Sequence, residues 1–234
     1  DPIIHNTSRS LKNASSLKKL GLNLLGLASL CGSIILNRTK TNKMIWNVSS
    51  QGLLQSGVLV WFLTYLLGYK VTLRVFGGDF VDCFNQKSRF SRKVFEKTIM
   101  RFDKVLLQSK ALVDGLAQYN NIRWFPTTRS INRKVEAKSG SCKLFLFVGQ
   151  LKKEKGLDLV CKVATDLAKE NIKFVVCGPE ITPGLEKELQ ASNVDVLGQL
   201  PYEQVSELML KADAFVFPTR YEGEGYPGAV IEAL

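Results

Sequence analysis

Residues 214–234 read AFVFPTRYEGEGYPGAVIEAL, and the rest of the chain is best understood outward from them. Ala214-Phe215-Val216-Phe217 is a short apolar run closed by Pro218, the pattern of a buried strand. A polar, glycine-broken turn follows, holding Glu222, Glu224 and Gly225. Pro227 and Gly228 then open an apolar run that predicts a helix, because proline suits the first helical position, where a missing N–H costs nothing. Strand, loop and helix in that order leave backbone N–H groups and the positive end of a helix dipole at the loop, a seat for a phosphate. Glu224 and Glu232 flank that seat. Carboxylates do not grip phosphate, but they accept hydrogen bonds from hydroxyl groups. The ligand chemistry implied is a phosphate joined to a polyol, as in a sugar nucleotide.

Upstream, Leu144–Val148, Phe174–Cys177 and Val194–Leu197 read as strands. Leu157, Val160, Ala164 and Leu167 mark one face of a helix between the first two, and Val205, Leu208 and Met209 face inward from another. Alternating strands and helices with right-handed crossovers predict a parallel sheet. Its first strand runs into Gly149-Gln150-Leu151-Lys152-Lys153-Glu154-Lys155-Gly156, which by itself reads as a lysine-rich surface turn. Gly178-Pro179 and Gly198-Gln199-Leu200 close the next two strands and by themselves are turns on the same sheet edge.

The first half repeats the rhythm less regularly. Ser10 to Leu36 is helical in character, with Leu20, Leu24, Leu27 and Leu30 near helical spacing. Met44–Val48 reads as a strand ending in a Ser49–Gly52 loop, Gly57–Leu67 as a helix, and Lys70–Phe76 as a second strand ending in Gly77-Gly78-Asp79. Leu20–Leu36 and Gly57–Leu67 are apolar but fall short of the roughly 20 residues of a membrane span, and they fit helices packed on a sheet better. Ligands bind at the C-terminal ends of strands in such sheets. Gly77, Gly78 and Asp79 are therefore acceptor-side candidates, with a tight turn needing positive φ as the plain alternative. Ser88–Lys97 reads as a basic, solvated helix, Lys104–Ser109 as a strand and Ala111–Tyr119 as a helix. Ile122–Pro126 closes this half, and Thr127–Cys142 is the linker candidate.

The net charge of +11 is divided unevenly. Residues 1–135 carry 21 Lys and Arg against 6 Asp and Glu, whereas residues 136–234 carry 11 against 15. This contrast supports two domains, 1–135 and 136–234. A basic half suits solubility, or an anionic membrane surface or pyrophosphate-bearing acceptor; nucleic acid fits less well, since no binding motif accompanies the charge. Five scattered cysteines with no C-x-x-C pair and a single histidine, His5, exclude a zinc site and a disulfide frame and point to a reducing, cytoplasmic setting.

Glu224-Gly225-Tyr226 through Glu232-Ala233-Leu234 resembles the Glu-x7-Glu signature of retaining glycosyltransferases of family 4. The loop Gly149–Gly156 is similar to that family's Gly-Arg-x-x-x-x-Lys-Gly segment, with Gln150 standing where arginine is usual. The resemblance implies an α/β, GT-B fold of two Rossmann-like doubly wound domains, both incomplete in a partial chain. It implies an enzyme of hexosyltransferase type that moves a sugar from a nucleoside-diphosphate sugar to a glycan or lipid-linked acceptor, without metal or cofactor. By the same analogy Glu224 and Lys155 are catalytic, and Gly149, Gln150, Leu200, Gly225, Tyr226, Gly228 and Glu232 bind the donor. Gly77, Gly78 and Asp79 border the acceptor; a histidine that family members often place near them is replaced by Phe76 or Ser49, which leaves the acceptor-side catalytic role unassigned. The setting implied is cytoplasmic, peripheral on the inner face of a membrane. A non-catalytic nucleotide-sugar binder and a sugar-nucleotide epimerase of the same fold are the alternatives.

Overall fold

The computed structural model describes residues 3–6, 16–129 and 140–234, with residues 16–20 described by backbone alone. The chain divides into two compact units, Asp1–Pro126 and Thr127–Leu234. The boundary expected between residues 135 and 136, and most of the expected linker, lie outside the described residues.

In the first unit, helix α1 (Ser16–Leu36) leads to strand β1 (Lys43–Ser49), helix α2 (Ser50–Leu66) and strand β2 (Lys70–Phe76). Two short helices follow, α3 (Phe80–Asn85) and α4 (Arg89–Lys97), then strand β3 (Lys104–Leu107), helix α5 (Lys110–Asp114) and strand β4 (Ile122–Trp124). The sheet runs β1-β2-β3-β4 and every pair is parallel. Alternation decides β2: Val71, Leu73 and Val75 are buried in the core, with Leu53 and Val60 of α2, Phe80 and Ile99 packed against them. Emptying a site such as Leu53 with alanine costs about 2–5 kcal/mol, because the surrounding core collapses only partly.

Two expectations are corrected in this unit. Ser49–Gly52 is not a loop: the Ser49 hydroxyl accepts the Gly52 N–H at 3.2 Å, so the helix starts at once and its first turn absorbs these residues. The helix expected over Ala111–Tyr119 stops at Asp114, where Gly115 takes the cap position and the chain continues in turns. Glycine is a poor helix former, so the chain leaves the helix at Gly115 even though Leu116 just beyond it is buried in the core. Among the described residues no helix is long and apolar enough to cross a membrane.

The second unit holds strand β5 (Leu144–Val148), helix α6 (Leu157–Asp166), strand β6 (Lys173–Cys177), helix α7 (Leu185–Ala191), strand β7 (Val194–Val196), helix α8 (Tyr202–Lys211), strand β8 (Ala214–Phe215) and helix α9 (Gly228–Ala233). All strand pairs are parallel, in the order β7-β6-β5-β8. Leu157, Val160 and Ala164 of α6 and Leu185 and Leu189 of α7 close over Phe147, Phe174 and Val176. The final strand is shorter and less buried than its apolar run predicts: only Ala214 and Phe215 pair with β5, and Val216 extends the ladder by donating its N–H to Leu146 O at 2.8 Å. Val205, Leu208 and Met209 are half-buried. Pro227 stands just before α9 in extended conformation, so Gly228 is the first helical residue.

The strand order places the ligand region. From β5 the chain steps outward to β6 and β7, then returns to the opposite side of β5 for β8. The order reverses between β5 and β8, and in open α/β sheets the crevice at the strand ends beside such a reversal is where ligands bind.

Candidate functional site

The loops that leave β5 and β8 meet at this reversal. After β5 the chain is tied to the loop after β6: Gly149 N–H donates to Cys177 O at 2.9 Å and Leu151 N–H to Pro179 O at 2.9 Å. The N–H groups of Ile181 and Thr182 return to Leu151 O. A Cβ on Gly178 would run into the carbonyl oxygen of Gly149, so the two backbones touch. Gly178 N–H donates in turn to Gly198 O at 2.7 Å, joining the loop after β7. Leu200 is half-buried there, and its backbone N–H faces the Cys177 thiol. Burial pushes that thiol up, against the opposing pull of the Leu200 hydrogen bond.

Beyond Leu151 the loop tightens into one turn of 3-10 helix, Lys153–Lys155, and ends on Gly156 in the left-handed region at φ +76°. A Cβ at Gly156 would strike the carbonyl oxygen of Pro218, so the loop is pressed against the chain leaving β8. That chain is pinned at several points. Arg220 N–H donates to Glu154 O at 2.8 Å, and the Arg220 guanidinium pairs with Asp158 at 2.5 Å. Hydrogen bonding to Arg220 holds the Asp158 carboxyl below the usual carboxylate range.

Lys155 points into the pinned region and is only 9% exposed. Its ammonium pairs with Glu224 Oε2, the same oxygen that accepts the Thr219 hydroxyl at 3.3 Å. The ammonium also lies 5.6 Å from the ring centre of Phe217 and 5.0 Å from that of Tyr221. Lys152 stands 5.1 Å from Tyr221. The carboxylate partner of Lys155 and the aromatic faces around it offset the cost of placing an ammonium in so buried a position. Glu224 keeps accepting capacity on its other oxygen, so the pair offers a positive charge to an anion and a lone pair to a hydroxyl within one small volume.

Of the sequence-predicted residues, then, Lys155 and Glu224 are brought together. Gly149 and Gly225 are half-buried in their loops, whereas Gln150 and Tyr226 are exposed. Glu232 is engaged elsewhere: its carboxylate pairs with Arg129, whose guanidinium lies where a Cβ on Gly228 would be. Gly77, Gly78 and Asp79 belong to the first unit, at the end of β2, where Gly77 has φ +125° and donates its N–H to Gln108 Oε1 at 3.1 Å. Asp79 precedes α3 without capping it and accepts the Cys83 thiol at 3.6 Å. Thr219, Tyr221 and Phe217 join the Lys155–Glu224 site, and Arg129 joins Glu232, without having been anticipated. The first three lie inside the quoted stretch, and a threonine and an aromatic flanking the turn were a usable signal; Arg129 carried none. Among the described residues no group of three or more His, Cys, Asp or Glu is placed to hold a metal ion.

Residues 128–234 match the family model described as glycosyl transferases group 1. An uncharacterized glycosyltransferase of Methanocaldococcus jannaschii is 25% identical over 137 residues, covering 57% of this chain and 38% of that protein. A Bacillus subtilis protein named as a teichuronic acid biosynthesis glycosyltransferase, TuaC, is 36% identical over 92 residues, covering 39% of this chain and 22% of that protein. The chain thus spans well under two thirds of the length of either relative. The crystal structure of Anabaena HepE in complex with UDP and glucose superposes with a TM-score of 0.61 at 13% identity, over 95% of this chain and 62% of its own. The fold is the α/β, GT-B fold with Rossmann-like units.

Proposed function

We propose that this chain is part of a retaining glycosyltransferase of family 4 that moves a hexosyl group from a nucleoside-diphosphate sugar to a glycan or lipid-linked acceptor. The observation that carries the reading is the Lys155–Glu224 pair at the strand-order reversal of the second unit. As the glycosidic bond of the donor breaks, positive charge grows on the sugar and negative charge on the departing diphosphate. Lys155 neutralises the diphosphate, and Glu224 accepts hydroxyls of the sugar. Preorganised charge of this kind, aimed at what develops in the transition state, is the usual largest contribution to catalysis. In a retaining reaction of this type the departing phosphate takes the acceptor's proton on the same face. No dedicated base is then needed, in keeping with a chain whose only histidine is His5.

Glu232 accepts the ribose hydroxyls, Gly149, Gln150, Gly225, Tyr226 and Gly228 line the diphosphate and sugar, and Leu200 lies at the base. Residues 136–234 are the donor half and residues 1–135 the acceptor half, with Gly77, Gly78 and Asp79 bordering the acceptor. The basic charge of residues 1–135 favours an acceptor bearing pyrophosphate or carried on an anionic membrane surface at the cytoplasmic face. The relative named for teichuronic acid biosynthesis supports a glycan as the acceptor.

The test is release of nucleoside diphosphate from a panel of UDP-, GDP- and ADP-sugars, with and without Lys155→Ala and Glu224→Gln. The expected result is turnover of at least one donor, lost by about 100-fold or more in either variant. A chain that binds a donor tightly yet releases no diphosphate, and whose variants lose binding alone, is the non-catalytic binder instead.

A further inference from the structure

Arg129 reaches α9 from about a hundred residues away in sequence, and it does so through a slot. Gly228 and Glu232 are one helical turn apart on the same face of α9. The Arg129 guanidinium lies in the space a Cβ on Gly228 would fill, and from there its Nε pairs with Glu232 Oε1. Its Nη1 donates to Thr128 O at 3.0 Å, so the planar group is fixed at both ends. The Glu232 side chain is 15% exposed. A carboxylate that buried needs a partner to fix its orientation, and a guanidinium supplies both the charge and a directed N–H.

We propose that Arg129, seated by Gly228, is a positioning residue that presents Glu232 to the vicinal diol of a ribonucleotide. This rests on the role given to Glu232 under the proposed function. Arg129 occupies Oε1, which leaves Oε2 and its lone pairs to accept the 2′- and 3′-hydroxyls. The device selects a ribose over a 2′-deoxyribose, because the Oε2 lone pair held for a hydroxyl that is missing is left without a donor. Gly228 belongs to the device through its lack of a side chain, which gives the guanidinium its place beside Glu232.

The experiment measures binding of UDP, GDP and ADP and of their 2′-deoxy counterparts by calorimetry, to the full chain and to Arg129→Ala, Arg129→Lys, Gly228→Ala and the Arg129→Ala/Gly228→Ala double variant. For the nucleotide that binds, the wild-type protein favours the ribo form about tenfold or more, as expected for a hydrogen bond to a charged acceptor. Arg129→Ala and Gly228→Ala each shrink that preference to under about threefold, and the double variant loses no more than either one, because both remove the same contact. Arg129→Lys recovers part of the preference. Circular dichroism of the free variants, with melting unchanged from wild type, shows that the loss is one of positioning and not of folding.

If the wild-type protein prefers the ribo form and both single variants keep that preference, Arg129 does not position Glu232, while the proposed function stands. Equal loss for ribo and deoxy forms would mean that Arg129 meets the phosphates, and it overturns the inference too. Wild-type protein that binds none of the nucleotides overturns the proposed function and this inference with it.

Discussion

Gly156 and Gly184 form a matched pair for testing how tightly the two site loops are pressed together. Each immediately precedes a helix, α6 and α7 respectively, and each is left-handed, at φ +76° and +84°. They differ in surroundings: a Cβ on Gly184 meets nothing within 4 Å, whereas a Cβ on Gly156 collides with the backbone carbonyl of Pro218. Gly184→Ala therefore costs only the left-handed strain, about 1–2 kcal/mol. Gly156→Ala bears the same strain plus the cost of forcing two packed backbone segments apart, about 1–3 kcal/mol more. The difference is the quantity of interest, because conformational strain cancels from it. A difference of about 2 kcal/mol moves the urea midpoint by about 1 M at an m-value near 2 kcal/mol/M. Far-UV circular dichroism is the suitable probe, since Trp46, Trp61 and Trp124 all lie in the first unit. Gly156→Ala also moves Lys155 away from Glu224, so nucleotide-sugar binding weakens in that variant and holds in Gly184→Ala. Equal midpoints for the two variants would falsify the close packing of the β5 and β8 loops.

Glu224→Gln is expected to destabilise the protein by about 1–3 kcal/mol, below the range for fully buried pairs because solvent reaches both groups, and Lys155→Met by less. The asymmetry follows from side-chain exposure, 11% for Lys155 and 22% for Glu224, and from the Thr219 hydroxyl that Glu224 retains; urea midpoints of the two variants check the order. Asp158 titrates below its ordinary value of 3.8 in the folded protein because of Arg220. Its contribution is present above that value and is lost as the pH falls through the lower folded one, so Asp158→Asn should flatten the melting temperature below about pH 4. With both side chains about half exposed, 51% for Asp158 and 56% for Arg220, the effect should shrink further in about 0.5 M salt.

What could be read in advance follows a physical line. Strand β2 was legible over Lys70–Phe76 because Val71, Leu73 and Val75 alternate strictly with more exposed neighbours, and β5 over Leu144–Val148 because an unbroken apolar run ends in glycine. The start of α2 was hidden, since Ser49-Ser50-Gln51-Gly52 carries loop composition and only the Ser49 hydroxyl, by capping, turns it into a helix. Lys155 and Glu224 were both singled out from local motifs, but that they touch depends on β8 returning beside β5, which no local pattern encodes. Arg129 shows the limit of local reading. An arginine in a polar stretch has no periodicity, and its partner lies 103 positions away. The clue was an absence, the missing side chain at Gly228, and it becomes visible only when the guanidinium is seen in its place.

The same pair that identifies the site constrains how a donor enters it under the proposed function. Lys155 is nearly buried, so at no stage can it lack an anionic partner without a large desolvation cost. A phosphate that approaches Lys155 competes with Glu224, and a Glu224 oxygen released from the ammonium needs a donor in turn. A sugar hydroxyl supplies it. Phosphate and sugar should therefore bind cooperatively: a nucleoside diphosphate alone leaves Glu224 under-satisfied, and a free sugar alone meets a carboxylate already engaged. One charge-assisted hydrogen bond gained or lost corresponds to roughly a tenfold change in affinity. Titrating free glucose or galactose into the chain with and without saturating nucleoside diphosphate measures the coupling, and Glu224→Gln should abolish it while leaving nucleotide binding in place. Sugar affinity that is identical with and without the nucleotide would mean that Lys155 and Glu224 do not exchange partners, and that Glu224 serves to hold the lysine and not the sugar.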